Sequence, residues 1–124
     1  MPEYVLDYHA DLQMLELILK GSWDIAFARG YQQALITYVK GKTVKTVLIL
    51  QSEAVFTDDC MQVFVENNHI PELQSAAVAQ VVTPEMCTIL QQQINQMSPE
   101  IAGSVPKPFD NQEDALAYLS DIQF

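Results

Sequence analysis

The stretch Val44-Lys45-Thr46-Val47-Leu48-Ile49-Leu50 decides the fold of this chain. It is almost entirely β-branched or apolar, which is typical of a central strand buried on both faces. After a short loop, Thr57-Asp58-Asp59 opens a segment with helical periodicity. Thr or Asp can cap free amides at such a position, and the helix dipole is positive there. The pattern therefore predicts two carboxylates at a helix start beside a sheet edge.

Strands and helices alternate on both sides of this stretch. Residues 3–8 and 12–19 have the pattern of strands, and His9-Ala10-Asp11 is short enough to join them as an antiparallel hairpin. The remaining predicted elements are helices over 24–39, 58–67, 84–97 and 111–122 and strands over 74–82 and 104–109. The order ββαβαβαβα predicts an α/β fold with a mixed sheet and about four helices packed on it. Residues 1–124 are expected to form a single domain.

The same periodicity predicts which side chains of the helices face the core. In the segment 58–67 the inward residues are expected to be Met61, Phe64 and Val65. In the segment 84–97 the core stripe is expected to consist of Ile89, Leu90, Ile94 and Met97. Gly41 is expected at the C-terminal cap of the helix 24–39.

The composition indicates an acidic, globular protein. Hydrophobic residues make up 49% of the 124 residues and charged residues 18%, which argues against disorder. Sixteen acidic and six basic side chains give a formal charge of −10. This charge disfavours nucleic acid and anionic membranes, because affinity for both depends mainly on Lys and Arg. No apolar run approaches the ~20 residues that span a bilayer, so a cytoplasmic protein without direct membrane insertion is expected.

The sequence contains no catalytic or metal-binding pattern. Its serines lack the glycine elbow of a nucleophile, and its four glycines form no phosphate-binding loop. The cysteines Cys60 and Cys87 and the histidines His9 and His69 lack the spacing of metal ligands. We therefore predict no enzymatic activity, no cofactor and no metal.

Three segments resemble the STAS superfamily and, within it, the SpoIIAA-like group of small single-domain bacterial proteins. They are Leu19-Lys20-Gly21-Ser22-Trp23, the strand Val44–Leu50, and Pro108-Phe109-Asp110 followed by Glu113-Asp114-Ala115-Leu116-Ala117-Tyr118-Leu119. The last segment is similar to the ending F-D-x-x-E-x-A-x-x-W/Y-L that is common in that group. The resemblance covers nearly the whole chain and implies a regulatory fold rather than a reaction.

The resemblance also implies a regulatory position. In the anti-sigma antagonist branch, the strand leads through a phenylalanine-containing loop to an Asp-Ser-Ser-Gly helix start, and a partner kinase phosphorylates the second serine. Here Val55-Phe56 matches the loop, and Thr57-Asp58-Asp59-Cys60 differs from the pattern at all four positions, with Asp59 in place of the phosphorylated serine. A carboxylate carries about one permanent negative charge, whereas a phosphoserine carries nearly two. Thr57 remains an alternative phosphate acceptor.

The preferred hypothesis is a non-catalytic regulatory or protein-interaction module. Its contact surface would combine exposed amides and side chains of Ser52, Thr57, Asp58, Asp59, Cys60 and Met61. The resemblance implies an unknown protein partner, either kinase-like or a membrane regulator. A homodimer is also plausible, since Pro106 and Pro108 would protect only one edge of the sheet.

Two alternatives are left open. The SpoIIAA-like group is structurally akin to lipid-carrier domains, so a small hydrophobic ligand could occupy an apolar cavity beneath the first two helices, lined by Trp23, Phe27 and Tyr31. A degenerate response-regulator receiver is the other alternative, because Val81-Val82-Thr83 and Lys107-Pro108-Phe109 look like the last two strand ends of that fold. The opening hairpin argues against a receiver.

Overall fold

Within residues 1–67, 69–99 and 106–122, which the computed structural model describes, the chain forms five strands and four helices. The strands are β1 (Glu3–His9), β2 (Met14–Trp23), β3 (Thr46–Phe56), β4 (Ala77–Val81) and β5 (Lys107–Phe109). The helices are α1 (Ile25–Val39), α2 (Cys60–Asn67), α3 (Pro84–Asn95) and α4 (Gln112–Ser120), with a 3₁₀ turn at Pro71–Leu73. The predicted order ββαβαβαβα is confirmed.

The strands form one mixed sheet in the order β1-β2-β3-β4-β5. β1 and β2 are the predicted antiparallel hairpin, and every later pair of neighbours is parallel. The predicted α/β class is therefore confirmed. The receiver alternative is wrong, because that fold has the strand order 2-1-3-4-5 with its first strand inside a parallel sheet. Here the first strand is antiparallel and lies at the edge.

Aromatic rings fix α1 and α2 on one face of the sheet. Trp23, at the end of β2, is 2% exposed. Its ring centroid lies 4.7 Å from that of Phe27, 5.2 Å from that of Tyr31 and 5.5 Å from that of Phe56, all in edge-to-face arrangements. Tyr4 of β1 and Phe64 of α2 complete this aromatic cluster. Each such pair contributes about 0.5–1.5 kcal/mol beyond simple burial, so the cluster joins five elements at one end of the sheet.

The opposite face of the sheet packs against α4. Leu48 and Val81 of the sheet form an apolar cluster with Ala115 and Leu119 of the helix. The side chain of Asn111 accepts a hydrogen bond from the Asp114 amide and caps α4. The predicted helix over 111–122 thus begins after the cap residue Asn111.

β3 is longer than the sequence predicted. The apolar run ends at Leu50, but the strand continues to Phe56 instead of entering a loop. One extra residue between Leu50 and Glu53 forms a bulge opposite β2, and pairing then resumes until Phe56 lies opposite Trp23. The prediction failed because the exposed residues Ser52, Glu53 and Val55 interrupt the apolar run in this half of the strand.

The start and orientation of α2 also differ from the prediction. The helix begins at Cys60 rather than at Asp58, and Cys60 and Val63 are its buried residues. Met61 and Val65 are 57% and 56% exposed, so their predicted inward orientation is wrong. The helix packs against the aromatic cluster only through the side that carries Cys60 and Val63, so the side that carries Met61 and Val65 stays exposed.

Smaller differences concern the later elements. β4 begins at Ala77 instead of residue 74 because residues 74–76 form a further turn, which the bond from the Ala76 amide to the Leu73 carbonyl oxygen closes. α3 ends at Asn95 instead of Met97. Ile89 of α3 is 47% exposed and does not belong to the core. Of the strand predicted over 104–109, residues 107–109 are confirmed as β5, while 104 and 105 lie outside the described residues. Gly41 follows the cap residue Lys40 and has a φ of +80°, as its predicted capping role requires.

Replacing Gly21 by alanine should lower the free energy of unfolding by about 1 kcal/mol or more. Gly21 has a φ of +85°, and a Cβ atom there would lie 2.8 Å from the Pro2 Cα and closer still to the Met1 carbonyl oxygen. The matched control is Gly30→Ala in α1, where a Cβ meets nothing within 4 Å. It should raise stability by about 0.5–1 kcal/mol. Urea denaturation of both variants measures this, and equal effects would contradict it.

Stability should fall in alkaline solution because of Tyr31. Burial, reinforced by the neighbouring Tyr4, raises the pKa of the Tyr31 hydroxyl far above its ordinary value. The unfolded chain releases this proton at about pH 10 and the folded protein does not, so the stabilisation is present below that pH and is lost above it.

Tyr31→Phe should therefore flatten the alkaline decline by up to about 1.4 kcal/mol per pH unit. Urea denaturation at a series of pH values between about 9 and 11.5 measures the slope around the ordinary tyrosine pKa. Tyr118→Phe, which changes a partly buried tyrosine, is the control and should leave the slope nearer that of the wild type.

Candidate functional site

Thr57-Asp58-Asp59 forms the turn through which β3 leads into α2. The Thr57 amide donates a hydrogen bond of 3.2 Å to the Trp23 carbonyl oxygen, so the pairing of β2 with β3 extends one residue beyond Phe56. The turn is thereby attached to the same residue that centres the aromatic cluster. Its position relative to the sheet is fixed by backbone contacts.

The amides at the start of α2 are used within the turn itself. The amides of Cys60, Met61 and Gln62 donate to the carbonyl oxygens of Thr57, Asp58 and Asp59, at 3.0, 3.3 and 3.3 Å. The expectation of exposed amides at this helix start is therefore wrong for these three groups. Bonds to the third preceding residue tighten the first turn, so a partner would meet side chains rather than backbone donors.

Thr57 and Cys60 hold the turn from within. The Thr57 hydroxyl donates to the Asp59 carboxylate and lies 3.3 Å from the Cys60 sulfur. The Cys60 thiol in turn donates to the Trp23 carbonyl oxygen over 3.7 Å. Cys60 is completely buried, so it cannot touch a partner as the sequence hypothesis proposed. It supports the turn instead.

Four exposed side chains share the outer side of this turn and of α2: Asp58, Asp59, Met61 and Val65. We call them the α2 surface. Met61 and Val65 lie four residues apart, which places them on one side of the helix, and Asp58 and Asp59 lie in the turn that precedes it. The sequence hypothesis included the first three residues but missed Val65, which it assigned to the core. If Cys60 had been predicted to face the core, the helical periodicity would have placed Val65, five residues later, on the exposed side.

Ser52 does not belong to the α2 surface. It is exposed at the bulge of β3. Four residues of extended strand lie between it and Thr57, and the five steps along the chain correspond to about 16 Å at the usual rise of a β-strand. The structure thus separates this candidate from the others because the segment is a strand and not the predicted loop.

The candidate ligand-cavity residues do come together beneath α1. Trp23 and Tyr31 are each 2% exposed, and Phe27 is partly buried against them. Their rings contact one another directly, and the Trp23 indole Nε1 donates to the Lys20 carbonyl oxygen at 2.8 Å. These three side chains therefore fill the space between α1 and the sheet with their own rings.

An open groove that the sequence did not predict lies between α1 and the end of α2. Its volume is about 420 Å³, and it is lined by Gln32, Ile36, Glu66, His69, Ile70 and Pro71. Beside it, an Arg29 guanidinium nitrogen lies 2.8 Å from a Glu66 carboxylate oxygen and links the two helices. The groove is shallow and its lining mixes polar and apolar groups.

Neither a metal cluster nor a membrane-spanning helix occurs among residues 1–67, 69–99 and 106–122. No three histidine, cysteine or carboxylate side chains in these ranges lie close enough together to hold an ion. None of the helices in the same ranges is both long and apolar enough to cross a bilayer.

No family model and no curated protein matches this sequence. Solved structures are similar in fold. An uncharacterised protein with a SpoIIAA-like fold from Shewanella loihica has a TM-score of 0.67 at 16% identity, over 96% of this chain and 95% of that one. An anti-sigma factor antagonist from Mycobacterium paratuberculosis has a TM-score of 0.63 at 14% identity, over 98% and 96%.

SpoIIAA itself is similar in both of its forms. The unphosphorylated anti-sigma factor antagonist gives a TM-score of 0.61 at 14% identity, over 98% of this chain and 100% of that one. The phosphorylated form, from Bacillus, gives 0.57 at 17% identity, over 94% and 99%. These identities are low and the coverage is nearly complete, so the likeness concerns the fold as a whole. The chain has a SpoIIAA-like fold.

Proposed function

We propose that this protein is a non-catalytic regulatory module that binds a protein partner through the α2 surface. The observation that carries the proposal is the exposure of Met61 and Val65 directly beside Asp58 and Asp59. Protein interfaces commonly combine an apolar centre with a polar rim. A well-fixed turn presents these side chains, so little conformational freedom would be lost on binding.

The structural neighbours support a regulatory role. Anti-sigma factor antagonists are among them, and SpoIIAA occurs in phosphorylated and unphosphorylated forms. The sequence resemblance lays Asp59 on the phosphorylated serine of that branch. A carboxylate there gives a constant charge of about −1 in place of a switchable one. The module would then present one charged state to its partner at all times.

Phosphorylation of Thr57 is the less favoured mechanism. Its hydroxyl already donates to the Asp59 carboxylate. A phosphate on Thr57 would lose this hydrogen bond and place a second anion beside the carboxylate, and like charges in contact repel. The constant charge of Asp59 is therefore the simpler basis for recognition.

The charge of the α2 surface indicates the chemistry of the partner. The surface carries two carboxylates, and the whole chain has a formal charge of −10. A basic patch around an apolar pocket would complement it. Opposite charges accelerate association and select the partner, while the buried apolar side chains supply much of the affinity.

The hydrophobic-carrier alternative receives less support. Its three candidate residues contact one another ring to ring, whereas a carrier requires an enclosed apolar space between such side chains. We therefore do not adopt it as a second function.

A reversed charge or a changed polarity on the α2 surface should weaken partner binding. Asp59→Arg and Val65→Lys should each weaken binding at least about tenfold. The arginine would repel a basic partner, and the lysine would place a charge in the apolar part of the contact. The matched controls are Glu85→Arg, at the start of α3, and Ile89→Lys, on its exposed side. Affinity capture from the native cell extract, followed by quantitative mass spectrometry, measures the difference.

The decisive outcome is the comparison of each variant with its control. Proteins captured by wild type, Glu85→Arg and Ile89→Lys but lost by both α2 variants would identify the partner. Equal capture by all five proteins would show that the α2 surface is not the contact. Thermal unfolding of each variant verifies that the fold is retained.

A neutral side chain at Asp59 should distinguish the effect of its charge on binding from the effect of its size. Asp59→Asn keeps the size of the side chain and an oxygen that can accept from Thr57. If the constant charge is recognised, this variant should weaken binding of the captured partner about 10-fold to 150-fold, the range that corresponds to a hydrogen bond to a charged group. Asp58→Asn is the control and should have a smaller effect. Titration calorimetry with the purified partner measures both, and equal losses would contradict a special role of Asp59.

A further inference from the structure

β1 is the open edge of the sheet among the described residues. It pairs only with β2, while β5 forms the other edge. β5 contains Pro108, which has no amide hydrogen and so cannot donate to an added strand. β1 spans Glu3–His9 and contains no proline. A strand that docks on this sheet would therefore find its backbone partners at β1.

One hydrogen bond shows which backbone groups point outward. The Tyr8 amide donates to the Tyr38 hydroxyl at 2.9 Å, so it points away from β2 and towards α1. In an antiparallel pair the backbone groups alternate between the neighbouring strand and the outside. Tyr4 and Leu6 therefore also point outward, and within the described residues their amides have no hydrogen-bond partner. The Tyr38 hydroxyl therefore occupies the outward amide of Tyr8 at one end of β1. The outward backbone groups of Tyr4 and Leu6 are left for an added strand.

The exposed side chains of β1 have a simple pattern of charge. Tyr4 and Leu6 pack towards the aromatic side, whereas Glu3, Val5 and Asp7 are exposed on the other face. Val5 is 52% exposed and lies between the two carboxylates. Sheet edges are often protected by lysine. Here the carboxylates of Glu3 and Asp7 are the charged groups of this face, and His9 Nε2 lies 3.6 Å from the Asp7 carboxylate. Such an edge would repel another acidic strand and complement a basic one.

We propose that β1 is a docking edge for an extended, basic segment of a partner protein. The segment would add a sixth strand, with backbone bonds to Tyr4 and Leu6. It would carry Lys or Arg opposite Glu3 and Asp7 and an apolar residue opposite Val5. In strand addition the backbone bonds supply affinity and the alternate side chains supply specificity. Opposite charges that face each other across two strands add to the stability. This surface is separate from the α2 surface and does not depend on it.

A second copy of the chain fits this edge poorly. Antiparallel pairing centred on Val5 would place Glu3 opposite Asp7 of the partner subunit, and like charges there are destabilising. Pairing centred on Leu6 would need the Tyr8 amide, which Tyr38 already occupies. Pairing centred on Tyr4 would set Leu6 opposite Pro2 of the partner subunit, which has no amide hydrogen. The edge thus excludes its own copy and favours a segment of opposite charge.

The test uses the peptide acetyl-Lys-Thr-Val-Thr-Lys-amide and the full chain. The sequence of the peptide is palindromic. In antiparallel pairing with its valine opposite Val5, its two lysines lie opposite Glu3 and Asp7. In NMR titrations, the amide signals of Tyr4 and Leu6 should shift, and their hydrogen exchange should slow at least about fivefold at saturation. The same peptide with both threonine nitrogens methylated lacks the donors that face β1, so it should produce neither effect.

Variants identify the contribution of charge. The double variant Glu3→Lys/Asp7→Lys should weaken peptide binding at least tenfold. The control Glu85→Lys/Asp121→Lys makes the same change in net charge elsewhere and should weaken it less than threefold. Equal shifts with the methylated peptide, or equal losses in both double variants, would overturn the proposal. Concentration-dependent dimerisation that protects Tyr4 and Leu6 would overturn it too, because the occupant would then be a second copy.

Discussion

The edge-to-face packing around Trp23 is the contact on which the rest of the structure depends. Trp23 contacts residues of α1, α2 and β3 as well as Tyr4 of β1, and its carbonyl oxygen accepts hydrogen bonds from both Thr57 and Cys60. One residue therefore supplies the apolar centre of one sheet face and the polar anchor of the turn before α2. Aromatic pairs have preferred geometries, so they orient the elements they join as well as attract them.

The proposed recognition at this end of the sheet depends on that anchoring. The amides of the turn bond to its own carbonyl oxygens, and the thiol of Cys60 is buried beneath it. What remains exposed is a short row of carboxylates and apolar side chains on a fixed backbone. A site built on rigid elements loses little entropy when it binds. A regulatory module with a permanent charge at Asp59 is consistent with this construction.

The two proposed surfaces share one physical character. The α2 surface carries Asp58 and Asp59, and the free edge of β1 carries Glu3 and Asp7. Both combine acidic charge with exposed apolar groups, and both would accept basic partners. They differ in what they offer. The α2 surface offers side chains because its amides are used internally, whereas β1 offers backbone groups because only Tyr8 is capped by Tyr38.

The sequence by itself determined the order of the elements, the fold class and the place where β3 leads into α2. Those features follow from local periodicity, from caps such as Asn111 and from the apolar run Val44–Leu50. The tertiary structure decided the rest. Whether residues 51–56 form a loop or a strand depended on pairing with β2, and whether Met61 and Val65 face inward depended on how α2 lies on the aromatic cluster. Burial is a relation between elements distant in the chain, so no local pattern could settle it.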